Sequence, residues 1–294
     1  MRNKVFYGFA PGHISAFFAP HIEKDLLRTG SYGAGVSILH GARAEMSIKQ
    51  SETTKVCFSV NGKPANLLVS EYALKSILAN VHKNYEIHCE LKHMLPVSQG
   101  FGMSAAGTLA SAIALCMFLK KPYRLALEAT HCAEVKFRTG LGDVAGMSAG
   151  GYEARVKPGI PPYGIVDRIL NTEQERRLLI CIIGKSIATK KVLSDEKMVE
   201  KCRRAGKEAL KKLMASVTVR NLIAQGYEFA LKTGLISGEV EECVGVLHKN
   251  GIEGSMAMLG NSVFALPPPK KWKKALEILG NYGEVIETEV YLAF

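Results

Sequence analysis

Between Pro96 and Leu119 a loop with two glycines runs without a break into a long apolar segment. The loop is Pro96-Val97-Ser98-Gln99-Gly100-Phe101-Gly102, and the segment is Met103–Leu119. A bilayer span needs about 20 residues, and this segment is shorter and carries Ser104, Thr108 and Ser111. It therefore reads as a helix buried in a protein core. The chain is long enough to enclose such a helix, with 294 residues of which 47% are hydrophobic.

The rest of the chain mixes strands, hairpins and helices. Val5–Phe9 reads as a strand that ends at Ala10-Pro11-Gly12. Gly33–Leu39 and Ala42–Lys49 read as two more. Asn61-Gly62 signals a hairpin between Val56–Val60 and Asn66–Val69. Glu71–His82 reads as a helix, and Tyr85–Lys92 alternates as a strand with one apolar face. Tyr123–Lys136 is a further helix, and Ala145–Tyr152 is a small, glycine-rich stretch before strands at Glu153–Val156 and Ile165–Arg168. The second half reads as a buried strand at Leu178–Gly184, then helices at Asp195–Ala215, Val217–Thr233 and Ser237–Lys249. It closes with a strand at Ser262–Leu266, a helix at Lys270–Leu279 and a strand at Val285–Leu292. Strands and helices do not alternate as in a doubly wound sheet, so the class is α+β. The halves divide near residue 170, as 1–170 and 171–294.

Charge and cysteine content narrow the function. The net charge of +11 fits nucleic acid, an anionic membrane surface or small anionic substrates. Lys190–Lys212 holds nine basic and four acidic residues, either a solvated helix face or an RNA-binding one. No motif of a nucleic-acid-binding module accompanies it. Seven scattered cysteines without a CxxC pair argue against a zinc site and read as thiols of a reducing cytosol. Met1-Arg2-Asn3-Lys4 runs into a strand without a signal sequence, so a cytoplasmic protein without membrane attachment is expected.

Glycines let the loop at Gly100 and Gly102 bring its backbone close to a ligand, and the helix start behind it offers free N–H groups. Such a site suits phosphate. No Lys follows as the Walker pattern requires, and the context is wrong for a dinucleotide fingerprint. Alone, the loop is either a phosphate site or a tight turn. Glu134 on the next helix and Asp143 in Thr139-Gly140-Leu141-Gly142-Asp143 add two acids. Phosphoryl transfer needs a metal ligand and a group that orients the acceptor. Two more clusters are Ala10-Pro11-Gly12-His13-Ile14-Ser15 and Gly254-Ser255-Met256-Ala257-Met258-Leu259-Gly260-Asn261.

In this order the four clusters resemble the GHMP family of small-molecule kinases. The likeness is closer to its pantoate-kinase branch, through Ala10–Ser15, Thr29–Gly35, Arg138–Asp143 and Ser255–Asn261. The resemblance implies a two-domain fold, the first half like domain 2 of ribosomal protein S5 and the second ferredoxin-like. It implies ATP and Mg²⁺ as cofactors and 4-phosphopantoate, on the route to coenzyme A, as product. Pro96, Ser98, Gln99, Gly100, Phe101, Gly102, Met103, Ser104, Ala105, Ala106, Gly107 and Thr108 would form the nucleotide loop. Ser104 and Glu134 would hold Mg²⁺, and Asp143 would take the acceptor proton. His13 stands where mevalonate kinases have Lys, and is either catalytic or structural. Arg28, Ser31, Gly140, Arg155 and Met258 would form the acceptor site, with Arg155 or Arg28 on its carboxylate. A homodimer fits such an enzyme. A kinase for another small alcohol, such as homoserine or a mevalonate-type acid, and an S5-like RNA-binding protein are the alternatives.

Overall fold

The computed structural model describes residues 4–184, 194–236 and 238–293. Lys190 and Lys191 of the basic run, Met1–Asn3 and Ser237 lie outside them. The chain forms a two-domain α+β fold built on two sheets. The first has seven strands: β1 (Lys4–His21), β2 (Gly30–Ser51), β3 (Lys55–Val60), β4 (Lys63–Ala65), β5 (Asn84–His93), β6 (Tyr152–Lys157) and β7 (Ile165–Ile169). β2 is its spine. β1 pairs antiparallel along its length, while Ala42–Ser51 pairs with β5 and Gly33–Val36 with β6.

Several local expectations change. The strand expected to stop at Ala10-Pro11-Gly12 continues to His21, with register shifts at Ala10/Gly12 and Ser15/Phe17. A bulge tolerates Pro11, because the missing N–H is not needed in the ladder there. The two strands expected at Gly33–Leu39 and Ala42–Lys49 are one, β2. It passes Gly41, where an added Cβ would lie 2.1 Å from the Ala10 carbonyl oxygen. Asn61 and Gly62 take positive φ of 48° and 80° as a tight hairpin requires, but the returning strand is Lys63–Ala65. Helix α1 starts earlier than expected, at Leu68, and spans Leu68–Leu78.

Helix α2 (Met103–Leu119) lies across β1 and β2, with α1 and α3 (Tyr123–Phe137) against its other sides. Its small residues permit the approach: a Cβ on Gly8 would stand 2.0 Å from the Ala110 carbonyl oxygen. The stretch expected to be irregular is a short helix, α4 (Asp143–Ala149), packed against β1, β2 and β6.

The second sheet contains β8 (Arg177–Ile182), β9 (Glu253–Met256), β10 (Ser262–Leu266) and β11 (Glu284–Glu289), in the order β11-β8-β10-β9. All its pairs are antiparallel, and this order is the ferredoxin-like one. Strand β9 falls in a stretch read from the sequence only as a glycine-bounded cluster. Helices α5 (Glu196–Ala215), α6 (Val219–Thr233) and α7 (Gly238–Lys249) fill the connection from β8 to β9, and α8 (Trp272–Gly280) leads into β11. Gly206 of α5 and Gly226 of α6 bring these helices onto Phe18 and Ala16 of β1, which joins the two halves. On α5, Arg203 and Arg204 pair with Glu200, and Lys212 with Glu208 and Glu228, so much of the basic run is matched locally. Among the described residues no helix is long and apolar enough to cross a membrane.

Candidate active site

The four sequence clusters converge on one cavity of about 320 Å³. The glycine-bearing loop forms one wall. Ser98, Gly100 and Gly102 all take positive φ, at 60°, 79° and 63°. Gly102 is the N-cap of α2, and no side chain caps this helix start. The first intrahelical bond runs from the Ala106 N–H to the Gly102 carbonyl, so the N–H groups just before it face the cavity without helical partners. The positive end of the helix dipole lies there too.

Neighbouring segments hold this loop in place. The His13 N–H donates to the Phe101 carbonyl at 3.0 Å, and the Met258 N–H to the Ser15 carbonyl at 3.1 Å. Gln99 donates to the Gly184 carbonyl at 2.9 Å and accepts from the Ser262 hydroxyl at 3.3 Å. Gly260 lies flat on the loop, since a Cβ there would be 2.1 Å from the Gln99 carbonyl carbon. The C-terminal half thus completes a wall that begins in the N-terminal half.

The opposite wall carries the acids. Ser104, in the first turn of α2, donates to Oε1 of Glu134 on α3 at 2.9 Å. The other oxygen, Oε2, is buried without a hydrogen-bond partner. Burial pushes the Glu134 carboxyl up to about 7, and the nearby charge of Asp143 adds to this. A Cβ on Gly140 would touch both acids, at 2.8 Å from Glu134 Oε2 and 2.9 Å from Asp143 Oδ2. Asp143 is the first residue of α4, and its side chain is 24% exposed at the cavity edge.

His13 lies behind Asp143, fully buried. Its Nδ1 is 2.8 Å from Asp143 Oδ1, and its Nε2 is 3.0 Å from Glu153 Oε1. Burial opposes a charge on the ring, but the hydrogen bonds and charges of the two carboxylates outweigh it and raise its pKa above 6.5. Arg155, buried on β6, pairs with Glu153 and reaches Ser15 Oγ at 3.3 Å.

The remaining named residues divide. Ser31, Gly140 and Met258 line the cavity, as do Ser98, Gly100, Gly102, Met103, Ser104 and Ala105. Arg155 lies under the Gly142 backbone, where a Cβ would be 2.8 Å from its Nε. Arg28 is not among the lining residues. It is half exposed, pairs with Asp25 at 3.4 Å and stacks on Tyr163. Gln99 and Phe101 are buried behind the loop, while Pro96 is exposed at its start and does not line the cavity. Ala106, Gly107 and Thr108 point into the core, where Thr108 Oγ1 lies 2.8 Å from Ser70 Oγ of α1. Sequence reasoning missed Glu153 and gave Ser15 no part in the cavity, while Phe18, which it weighed as a pocket wall but favoured as core, lines the cavity with Ser15. Glu153 had a signal: Glu-x-Arg in a strand puts opposite charges on one face. It also missed His131, three residues before Glu134 on α3. Its Nε2–H donates to the Leu26 and Thr29 carbonyls, and burial lowers its pKa, which leaves Nδ1 unprotonated.

The arrangement suits an anionic phosphate chain on the α2 terminus, with an acceptor between it and Asp143. Among the described residues no three His, Cys, Asp or Glu side chains cluster to hold a metal. The unpartnered Glu134 oxygen beside the Ser104 hydroxyl is the donor pair present. Mg²⁺ typically takes one or two protein ligands and completes its shell with phosphate and water.

Known proteins match most of this chain. Residues 66–151 match the model of the GHMP kinases N terminal domain. The chain is 33% identical to a pantoate kinase of Thermococcus kodakarensis over 277 residues, 93% of this chain and 91% of the relative. It is 31% identical to a pantoate kinase of Methanocaldococcus jannaschii, over 93% and 97% of the two chains. A solved phosphotransferase related to the CoA biosynthesis pathway superposes with a TM-score of 0.89 at 31% identity, covering 99% of this chain and 97% of that one. On the strength of these likenesses, the chain belongs to the GHMP kinase family.

Proposed function

We propose that this chain transfers the γ-phosphoryl group of ATP to a hydroxyl of pantoate, giving 4-phosphopantoate for the synthesis of coenzyme A. One observation carries the kinase part: an uncapped helix start and an acid, Asp143, face each other across a single cavity. The pantoate part is supported by the names and near-complete coverage of the curated relatives.

The loop Ser98–Ala105 holds the phosphates through backbone N–H groups. Ser104 and Glu134 would hold Mg²⁺, which would supply positive charge against the phosphates during transfer. Asp143 orients the acceptor hydroxyl. A carboxylate is far less basic than an alkoxide, so it takes the proton late, as the new P–O bond forms. Ser31 and the Gly140 backbone face the acceptor, whereas Arg155, expected on its carboxylate, is buried behind Gly142, paired with Glu153 and not among the lining residues. Met258 offers an apolar wall to the geminal dimethyl group.

The test is ADP release from Mg·ATP with a panel of pantoate, pantothenate, homoserine, mevalonate and shikimate. Turnover with pantoate alone is expected. Turnover with another acceptor keeps the kinase and discards the pantoate assignment. No acceptor-dependent turnover discards both and turns attention to RNA, whose binding would weaken steeply with salt.

A further inference from the structure

Four ionisable side chains stand in file from the cavity wall inward: Asp143, His13, Glu153 and Arg155. Only the first is accessible, at 24%, against 0% for His13 and Glu153 and 1% for Arg155. Their charges alternate in sign. His13, on β1, is faced by Asp143 from α4 and by Glu153 and Arg155 from β6. Among the described residues no other charged group hydrogen-bonds to the ring. Glu134 of α3 faces Asp143 across Gly140 rather than His13.

The chemistry of the ring follows from its partners. An ionised carboxylate only accepts hydrogen bonds, and a neutral imidazole has one N–H to give. A neutral ring would set an acceptor against an acceptor at one of the two contacts. A doubly protonated ring satisfies both. Its Nδ1–H then engages Oδ1 of Asp143 and leaves Oδ2 turned to Gly140 in the cavity wall. Arg155 balances Glu153, so the buried file carries no net charge. A buried carboxylate without such a partner would be costly.

We infer that Glu153 is a positioning residue of the transfer reaction: it accepts the Nε2 proton of His13, keeps the ring doubly protonated, and through Nδ1 aims the free oxygen of Asp143 at the acceptor hydroxyl. This rests on the reading of Asp143 as the group that takes the acceptor proton. In the step itself the acceptor O–H bond breaks and its proton goes to Asp143 Oδ2. The acceptor oxygen forms its bond to the γ-phosphorus, and ADP leaves with the bridging oxygen. His13 keeps both protons throughout, so no proton passes along the file. An ion pair between Glu153 and Arg155 that only held the fold together would not link Glu153 to the pH dependence of turnover.

The experiment compares pH–rate profiles of the unmodified protein and Glu153→Gln, with Mg·ATP and the acceptor that the panel identifies. Gln keeps an accepting oxygen toward Nε2 and removes only the charge. The alkaline limb of kcat is expected to move down by about one pH unit or more. At pH about 8.5 kcat should fall roughly tenfold, a part of the 10²–10⁴ that a general base supplies, with KM for ATP unchanged. Glu153→Asp should restore part of the loss. Superimposable profiles would overturn the inference while leaving the kinase reading intact. No acceptor-dependent turnover by the unmodified protein would overturn both. A second measurement needs no variant: ¹⁵N-edited NMR of the unmodified protein. Two ring N–H groups on His13 at pH about 8 are expected, above the ordinary histidine value of about 6.5. A singly protonated ring at that pH would overturn the inference.

Discussion

Asp143 and Glu134 sit on either side of Gly140, and their environments set them different tasks. Asp143 is open to the cavity, and its Oδ1 is tied to His13. Asp143→Asn keeps the shape and removes the proton acceptor proposed above. Binding of ATP should be retained and kcat should fall by about 10²-fold or more, read by calorimetry and by ADP release. Glu134 is held above its ordinary value of 4.5, at about 7, by burial first and by Asp143 second. The folded form thus prefers the protonated acid. Its contribution to stability is greatest below about 4.5 and is lost as the pH rises through about 7, a span worth roughly 3 kcal/mol. Glu134→Gln should flatten that slope in denaturant melts run across this range. Mg·ATP should raise the melting temperature more at pH about 8 than at pH about 5, since a metal ligand must be ionised. Ser104, Glu134 and Asp143 were legible in the sequence because each stands in a motif. The partners of His13 were not, because Glu153 is 140 residues away in the chain.

At the scale of elements, the glycine loops act as surfaces that fit flat against each other. Gly260→Ala would drive a methyl group into the Gln99 backbone and displace the phosphate loop. KM for ATP should rise by roughly tenfold or more, since small misplacements near a reacting group cost up to about 10². Gly8→Ala tests the other face of α2, where a methyl would meet the Ala110 carbonyl. Overpacking of this kind costs about 1–3 kcal/mol, read as a lower denaturation midpoint with the pH profile of kcat unchanged. The sequence reading found α2 and α3 within a residue, since their apolar patterns are long. It split β2 and shortened β1, because Pro11 and Gly41 are breakers in isolation. In the fold they sit opposite each other at one bulge, and a Cβ on Gly41 would lie 2.8 Å from the Pro11 Cα.

At the scale of the whole molecule, the net charge of +11 would draw in the anionic substrates proposed above. Raising salt from about 0.05 to about 0.5 M should lower kcat/KM for ATP severalfold while kcat holds, because encounter is screened and the enclosed step is not. The cavity also depends on both sheets. β1 belongs to the first sheet, carries His13 and Ser15, and receives α5 and α6 from the second half. The loop between β9 and β10 then reaches the phosphate loop through Met258 and Gly260.

The α+β class, the buried helix behind a glycine loop and the residue types suited to phosphoryl transfer can all be read from the amino-acid order. These are local properties: periodicity, backbone permissiveness and side-chain chemistry are written in neighbouring residues. Which charges face each other is set by the assembled fold. It took Arg28 to the side of Asp25 and Tyr163, and set Arg155 against Glu153 and beneath Gly142. It also enclosed His13 between two carboxylates from different elements. Such contacts depend on sheet register and on the close approach of glycines from distant segments. A buried charge takes its properties from neighbours that the chain order does not reveal.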